Sequence, residues 1–130
     1  MKNGKDKYQV LTKGEMDIMN KLWSLDKEAS TKDLLENFDE PKPAYTTVAT
    51  FLKILSAKGF VTETKYKETG KTLFYKPLIS QKEYTTRVMD DVTTNFFGGS
   101  VKSLVNFFVR EEKISSEELE QLLNLVNSKE

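Results

Sequence analysis

The 130-residue sequence contains neither cysteine nor histidine. Without cysteine the chain forms no disulfide, no thiolate metal site and no thiol nucleophile. Without histidine it lacks the commonest general base and the commonest metal ligand of proteins. These two absences argue against most metal-dependent and nucleophilic enzymes, and we expect no metal and no cofactor.

Long apolar runs are also missing. No stretch approaches the ~20 residues that a helix needs to span a bilayer, so we expect no membrane insertion. The first seven residues are polar and no hydrophobic segment follows them, which predicts that there is no signal peptide. Together these features predict a cytoplasmic protein.

Acidic doublets are the remaining candidates for acid–base chemistry. Side chains adjacent on a helix point about 100° apart, so Asp90-Asp91 and Glu111-Glu112 are poor catalytic pairs. The sequence has no glycine-rich phosphate loop and no nucleophile motif. We therefore predict that the protein is not an enzyme.

The charges that are present are unevenly distributed along the chain. The 20 Lys+Arg balance the 20 Asp+Glu, yet residues 1–80 carry 14 Lys and 11 Asp+Glu, a net charge of +3. Residues 81–130 carry 6 Lys+Arg and 9 Asp+Glu, a net charge of −3. Within 42–76, 7 Lys face 2 Glu, which gives +5. A basic middle segment in a neutral chain indicates a local anionic partner.

The segment 41–59 begins with two prolines and continues with a helical period. Val48, Leu52 and Leu55 recur at i, i+4 and i+7, which predicts a buried stripe, and Gly59 follows where a left-handed cap is expected. The other face carries hydroxyls, an aromatic ring and one lysine but no carboxylate: Tyr45, Thr46, Thr47, Ala49, Thr50 and Lys53. We interpret this segment as a DNA-recognition helix. The alternative is an ordinary amphipathic helix with a polar outer face.

Two helices are predicted ahead of this segment. Thr12 and Glu15 form a capping-box pattern, and so do Ser30 and Asp33. The first helix has a stripe that we expect to be buried: Met16, Met19, Leu22 and Trp23. Residues 27–29, between the two helices, are expected to pair as a brief extended segment. Helix, helix, tight loop and recognition helix is the helix-turn-helix order.

A β-hairpin is predicted directly after Gly59. Residues 60–67 are rich in β-branched and aromatic side chains, Gly70 supplies a turn, and residues 72–76 return as a second strand. Its tip and flanks are basic through Lys65, Lys67, Lys71 and Lys76. A helix-turn-helix followed by a basic hairpin is the winged-helix plan. The alternative is a lysine-rich hairpin that only protects the edge of a sheet.

Three further capped helices are predicted after residue 79. Their apolar residues lie on more than one face, and about 50 residues cannot bury that much apolar surface alone. We therefore predict a homodimer, with a monomeric helical cap as the alternative. The residues expected to dimerise are Tyr84, Val88, Val92, Phe96, Leu104, Val105, Phe108, Leu119, Leu122, Leu123 and Val126. The predicted domains are 8–79, which binds DNA, and 80–130, which dimerises.

Several blocks of the chain, in order and at matching spacing, resemble the penicillinase-repressor family of bacterial transcriptional repressors (BlaI/MecI/CopY type). The blocks are 11–23, 47–59, 74–80, 97–105 and 111–122. The resemblance implies a mainly α fold with a small β-hairpin wing, that is, a winged helix-turn-helix plus a C-terminal helical dimerisation region. It also implies a dimeric repressor whose N-terminal half binds an operator of dyad symmetry.

The resemblance extends to a mode of regulation. In antibiotic-responsive members a membrane-bound sensor protease triggers cleavage of an Asn-Phe bond in the dimerisation region, which relieves repression. That bond aligns with Phe107-Phe108 here, and the Asn106-Phe107 bond lies one residue earlier. Copper-responsive members carry a cysteine-rich tail, and the absence of cysteine excludes that kind of copper sensing.

From the sequence we therefore expect a DNA-binding repressor that binds double-stranded operator DNA as a homodimer and is relieved by proteolysis. Threonines of the recognition helix face the major groove, and lysines of the helix, its loop and the wing neutralise phosphates. The expected DNA-binding residues are Lys42, Tyr45, Thr46, Thr47, Thr50, Lys53, Lys65, Lys67 and Lys71. The alternative is a winged-helix protein-interaction module with no specific DNA site, whose basic surface binds an acidic partner protein.

Overall fold

The computed structural model describes residues 10–128. Residues 8 and 9 of the predicted first domain and residues 129 and 130 of the predicted second domain lie outside the described part. The elements are helix α1 (Lys13–Leu25), helix α2 (Thr31–Glu36), helix α3 (Tyr45–Lys58), strand β1 (Val61–Lys65), strand β2 (Leu73–Pro77), helix α4 (Gln81–Phe97), helix α5 (Val101–Arg110) and helix α6 (Ser116–Ser128). Three helices followed by a two-stranded hairpin and more helices confirm the predicted fold class, a mainly α winged helix.

The described chain forms two compact units that divide between Arg87 and Val88, within α4. The first unit contains the winged helix and the first turns of α4. The second contains the rest of α4 with α5 and α6. The functional boundary expected between residues 79 and 80 stays a prediction.

Side chains cap the helices where the sequence predicts. In α1, Thr12 accepts a hydrogen bond from the Glu15 amide, and the Glu15 carboxylate accepts one from the Thr12 amide at 2.8 Å. Ser30 and Asp33 make the same reciprocal pair at the start of α2. Because each pair satisfies amides that the helix leaves without a partner, the start of each helix is fixed locally.

The core of the first unit lies where α1, α2 and α3 meet. The three residues of the predicted α3 stripe are fully buried, and they pack with side chains from the other two helices and the hairpin. The most buried large side chains are Met19, Leu22, Leu34, Val48, Leu52, Leu55 and Val61. In α1, Ile18 is buried although the predicted stripe omitted it, whereas Met16 and Trp23 are only half-buried.

Helices α1 and α3 approach closely at Gly14. A Cβ atom built on Gly14 would lie 2.5 Å from Cζ of Phe51. The absence of a side chain at position 14 therefore leaves room for the ring of Phe51, which belongs to α3.

The hairpin, which we call the wing, comprises β1, β2 and their connection. The strands are antiparallel, with Glu63 opposite Tyr75, and a single 3-10 turn at Lys67–Thr69 precedes Gly70, whose φ is +69°. Ala29 pairs with Tyr75 through two backbone hydrogen bonds of 2.9 and 2.8 Å. Of residues 27–29, which were predicted to pair, Ala29 alone does so, and this pairing ties the start of α2 to the wing.

Tyr84 lies in the core of the first unit, although its spacing placed it in the expected dimerisation set. Its side chain is only 5% exposed, and its hydroxyl accepts a 2.8 Å hydrogen bond from the Leu11 amide. Its ring contacts Trp23 and Phe60 at centroid distances of 6.1 and 5.9 Å. A partner subunit cannot reach a side chain that is enclosed in this way.

The second unit has a different character. Ser100 caps α5, and Ser115 with Glu118 forms a reciprocal capping box at the start of α6. Among the described residues of this unit the only buried side chain is Thr93, whose hydroxyl donates to the Met89 carbonyl. Within residues 10–128, no helix combines the length and apolar character needed to cross a membrane.

Candidate nucleic-acid interface

Helix α3 is held in the first unit by its apolar stripe, and a glycine cap ends it at the C-terminus. The prolines at 41 and 43 precede it, and Ala44 is its N-cap residue. Gly59 adopts a φ of +86°, which favours glycine, and ends the helix. The amides of Gly59 and Phe60 donate to the carbonyls of Ser56 and Leu55 at 3.1 and 2.9 Å.

An ion pair joins the end of α3 to the start of α1. Nζ of Lys58 lies 2.7 Å from Oε2 of Glu15, whose side chain is almost fully buried. Burial raises the pKa of Glu15, but the hydrogen bonds from Lys58 and from the Thr12 amide outweigh it and leave that pKa below its ordinary value. Glu15 therefore stays ionised and fixes Lys58 against α1.

The outer face of α3 is exposed and contains no carboxylate. At 100° per residue, Thr46, Thr50 and Lys53 form a row at its centre, and Ala57 continues that row. Thr47 lies at the edge of the face, one turn before half-buried Phe51. Ile54 is 36% exposed on the same face and was not among the expected site residues. The structure thus places four of the expected residues on one exposed face and adds the apolar side chain of Ile54 beside them. The four are Thr46, Thr47, Thr50 and Lys53.

Tyr45 and Lys53 also line a groove, together with Ala49. The groove runs between the start of α2, the first turns of α3 and the start of β2, and its volume is about 680 Å³. We call it the lysine groove. Its lining residues are Ser30, Thr31, Lys32, Tyr45, Ala49, Lys53, Lys71, Thr72, Leu73 and Tyr75. This set contains three lysines and no carboxylate.

Tyr75 lies behind this groove and is 3% exposed. Burial, and after it the charge of Glu63 and the proximity of Tyr45, raise the pKa of Tyr75. The phenol therefore stays neutral at physiological pH, so that it adds a dipole and no negative charge to the groove.

The other expected lysines are distributed around this surface. Nζ of Lys42 donates a 2.8 Å hydrogen bond to the Leu35 carbonyl near the end of α2. Its positive charge therefore lies beside the carbonyl end of that helix. Lys65 and Lys67 are exposed on the wing on either side of Tyr66. The structure groups Lys53 and Lys71 at the lysine groove and does not bring Lys42, Lys65 or Lys67 into its lining.

Tyr66 anchors the far part of the wing. Its hydroxyl donates a 2.8 Å hydrogen bond to the Glu28 carboxylate, and its ring contacts Phe74 at a centroid distance of 5.7 Å. The bond to Glu28 raises the pKa of Tyr66. This link and the Ala29–Tyr75 pairing attach the wing to the same short segment before α2.

Lys32 is the one lysine of the groove that was not among the DNA-binding residues expected from the sequence. It is the second residue of α2 and lines the groove together with Lys53 and Lys71. A local signal for it exists, because it is a lysine at the exposed start of a helix that packs on the recognition helix. Thr72 was missed for a different reason, since only the close approach of the wing to α3 brings it to this surface.

The geometry combines an exposed helix face without acidic residues, a basic hairpin and a cationic groove between them. Comparison with known proteins indicates the kind of protein that this geometry suggests, a DNA-binding repressor. The family model of the penicillinase repressor matches residues 11–128. The chain belongs to the penicillinase repressor family. The match covers both compact units, so membership extends beyond the winged helix.

Relatives in the family are of nearly the same length. The methicillin resistance regulatory protein MecI of Staphylococcus aureus is 27% identical over 125 residues, which are 95% of this chain and 98% of that protein. The penicillinase repressor of Staphylococcus aureus is 23% identical over 122 residues, 94% of each chain. Both relatives are named as regulators or repressors, as expected from the sequence blocks.

A solved structure of the organohalide sensing RdhR transcriptional regulator, in a 2,4-dichlorophenol-bound form, is similar with a TM-score of 0.49 and 16% identity. The match covers 91% of this chain, and this chain spans 62% of the length of that one.

Proposed function

We propose that the protein is a transcriptional repressor that binds double-stranded operator DNA of dyad symmetry as a homodimer in the bacterial cytoplasm. The observation that carries this proposal is the carboxylate-free outer face of α3 beside a basic wing, in a member of the penicillinase repressor family. A helix face without acidic side chains enters the negatively charged major groove without repulsion from the phosphates.

Each part of the surface has a role in this proposal. Thr46 and Thr50, at the centre of the α3 face, read base edges through their methyl and hydroxyl groups, and Thr47 contacts the DNA from the edge of that face. Tyr45 and Lys53 contact the backbone from the groove side. Phosphates further along the duplex are neutralised by lysines that carry no sequence information: Lys42, Lys65, Lys67 and Lys71.

Dimerisation is proposed through the second unit, because its apolar side chains are exposed in a single chain. Phe96 is 77% exposed and Leu123 is 59% exposed. Apolar surface of this kind marks an interaction site in a protein that has to remain soluble. The proposed interface comprises Val88, Val92, Phe96, Leu104, Val105, Phe108, Leu119, Leu122, Leu123 and Val126. Leu125, also 59% exposed, extends it.

A dimer presents two copies of α3 to one duplex. Two-fold symmetric proteins of this class read half-sites about one helical turn apart, or a multiple of that distance, so the operator should be a pseudo-palindrome. Loss of the dimer would leave one half-site contact and lower the affinity for the operator.

We further propose that cleavage in α5 relieves repression, with a membrane sensor protease pathway as the source of the signal. Asn106, Phe107 and Phe108 lie within α5, and the two phenylalanines are 47% and 38% exposed. The ring of Phe107 contacts Phe97 and Phe108 at centroid distances of 5.7 and 5.5 Å. A cut at 106–107 or 107–108 would separate α6 from the rest of the chain and remove part of the dimer interface.

The first test is a gel-shift titration with the duplex upstream of the protein's own gene and a scrambled duplex of equal length, at two salt concentrations. We expect tight, salt-sensitive binding to the upstream duplex and weak binding to the scrambled one. Thr50→Val should weaken only the specific complex, whereas Lys71→Ala should weaken both. Binding to neither duplex by folded, dimeric protein would overturn the proposal and favour the protein-interaction module.

A further inference from the structure

The lysine groove adds a cation of α2, Lys32, to the lysines of the recognition helix and the wing. Its three cations come from three different elements: Lys32 from α2, Lys53 from α3 and Lys71 from the wing. In a chain with zero net charge, a concave surface with three lysines and no carboxylate is a local concentration of positive charge.

The position of Lys32 is set by the backbone around it. Ser30 is buried and accepts a hydrogen bond from the Asp33 amide, while the Asp33 carboxylate accepts one from the Ser30 amide at 3.0 Å. One residue earlier, the two backbone bonds between Ala29 and Tyr75 join this segment to β2. The start of α2 is thereby fixed relative to the wing, and Lys32 and Lys71 both line the groove.

The chemistry of the lining favours phosphodiester oxygens. The lining also contains the exposed hydroxyl-bearing residues Tyr45 and Thr72, whereas Ser30, Thr31 and Tyr75 are buried. Hydroxyls donate hydrogen bonds to phosphate oxygens, and lysine neutralises their charge. Two carboxylates lie close to the lining without forming part of it: that of Asp33 is used in the cap of α2, and that of Glu63 stands opposite Tyr75 in the hairpin.

We infer that the lysine groove holds a stretch of one sugar-phosphate strand of the operator and that Lys32 is a phosphate-binding residue. This inference rests on the proposed function and deepens it, because it adds Lys32 of α2 to the backbone contacts proposed for Lys53 and Lys71. The strand lies between α2 and the wing while Thr46 and Thr50 occupy the adjacent major groove. Lys32 then adds affinity for any duplex and no preference for sequence.

The salt dependence of binding tests this inference. Each lost phosphate contact makes the slope of log affinity against log salt shallower by about 0.9. When salt is raised from 50 to 200 mM, the fall in affinity of Lys32→Ala should therefore be smaller than that of the wild type by a factor of about 3.5 per subunit. The loss of affinity caused by Lys32→Ala should be equal for the upstream and the scrambled duplex. Lys76→Ala is the control, because Lys76 is an exposed lysine of the wing that lines a different groove, with Trp23 and Asp26.

Ethylation interference on the upstream duplex locates the contact. In the wild-type complex, ethylation of the phosphate beside Lys32 blocks binding; with Lys32→Ala the same ethylation should have no further effect. A slope for Lys32→Ala equal to that of the wild type, or an equal fall for Lys76→Ala, would overturn the inference while leaving the repressor proposal intact. If the wild type itself binds no DNA, the proposed function fails first, and the two failures are thereby distinguished.

Discussion

The two compact units of this protein differ in where their apolar side chains lie. Every buried apolar side chain found in residues 10–128 belongs to the first unit, from Leu11 to Tyr84. From Val88 onward the apolar residues are half-buried or exposed, and several exceed 50% exposure. Both units have well-capped helices, so the difference is one of tertiary packing.

This difference shows what each unit requires for stability. The first unit has its own core, which positions α3 and the wing without a second chain. The second unit has amphipathic helices whose apolar faces remain open, and burial of apolar surface is the main favourable term in folding. Its stability should therefore depend on association, whereas that of the first unit should not. Four predictions test this contrast.

The largest effect is expected in the first core. Leu52 is fully buried in α3, and Leu52→Ala should lower the free energy of unfolding by about 2–5 kcal/mol, because it removes buried methyl groups and leaves a cavity. Thermal unfolding followed by fluorescence measures this unit selectively, since the single tryptophan, Trp23, lies in it. Thr50→Ala, an exposed change on the same helix, is the control and should stay within about 0.5 kcal/mol.

The ion pair between α1 and α3 should have the next largest effect. Glu15→Gln should cost about 1.5–3 kcal/mol, because it removes a charge-assisted hydrogen bond to Lys58. The pKa of Glu15 is lowered in the folded state, so its contribution is present above the unfolded pKa of about 4.3 and is lost as the pH falls through the folded pKa.

The wild type should consequently lose more stability than Glu15→Gln as the pH is lowered from about 5. Thermal unfolding at several pH values measures the difference. The control Glu36→Gln changes an exposed carboxylate of α2 and should follow the wild-type curve. Parallel curves for the wild type and Glu15→Gln would show that this carboxyl does not stabilise the fold.

A change in the second unit should affect association and leave the first unit intact. Leu123→Glu places a charge on the exposed apolar face of α6, and we expect the dimer Kd to rise about 30-fold, which corresponds to ~2 kcal/mol. Sedimentation equilibrium over a range of concentrations measures this. The unfolding of the first unit reported by Trp23 should be unchanged, and a parallel loss there would contradict the contrast between the units.

The smallest effect is expected next to the division between the units. Arg87 and Glu83 form an exposed i, i+4 ion pair at 2.7 Å in α4. Arg87→Ala should cost only about 0.3–0.5 kcal/mol, because exposed pairs gain little in water. Chemical denaturation at low and high salt checks this, and the difference between wild type and variant should shrink as salt is added.

Much of the fold could be predicted because its signals are local. The period of Val48, Leu52 and Leu55 gave α3, the capping residues gave the helix starts, and Gly59 and Gly70 marked the helix end and the turn. These features depend on residues within a few positions of one another. For the same reason the α3 face could be described before its surroundings were known.

The features that were missed involve residues distant in sequence. The pairing of Lys58 with Glu15 joins residues 43 positions apart, and no local pattern encodes it. Tyr84 fits the spacing of the helix that follows, yet its hydroxyl reaches Leu11, so periodicity alone assigned it to the wrong surface. Lys32 follows a segment that the long-range pairing of Ala29 with Tyr75 joins to the wing. Periodicity gives the face of a helix, and tertiary contacts decide what that face meets.

The contact between Gly14 and Phe51 has a consequence for sequence variation. In a solvent-exposed helix an alanine is more favourable than a glycine by about 1 kcal/mol, so Gly14→Ala would ordinarily count as an improvement. Here the added methyl group would displace the ring of Phe51, which is carried by the helix proposed to read DNA. Glycine at position 14 thus allows α1 to pack closely against the Phe51 ring of α3. A residue with a side chain at position 14 would therefore require the ring of Phe51 to shift, although position 14 lies outside the α3 face.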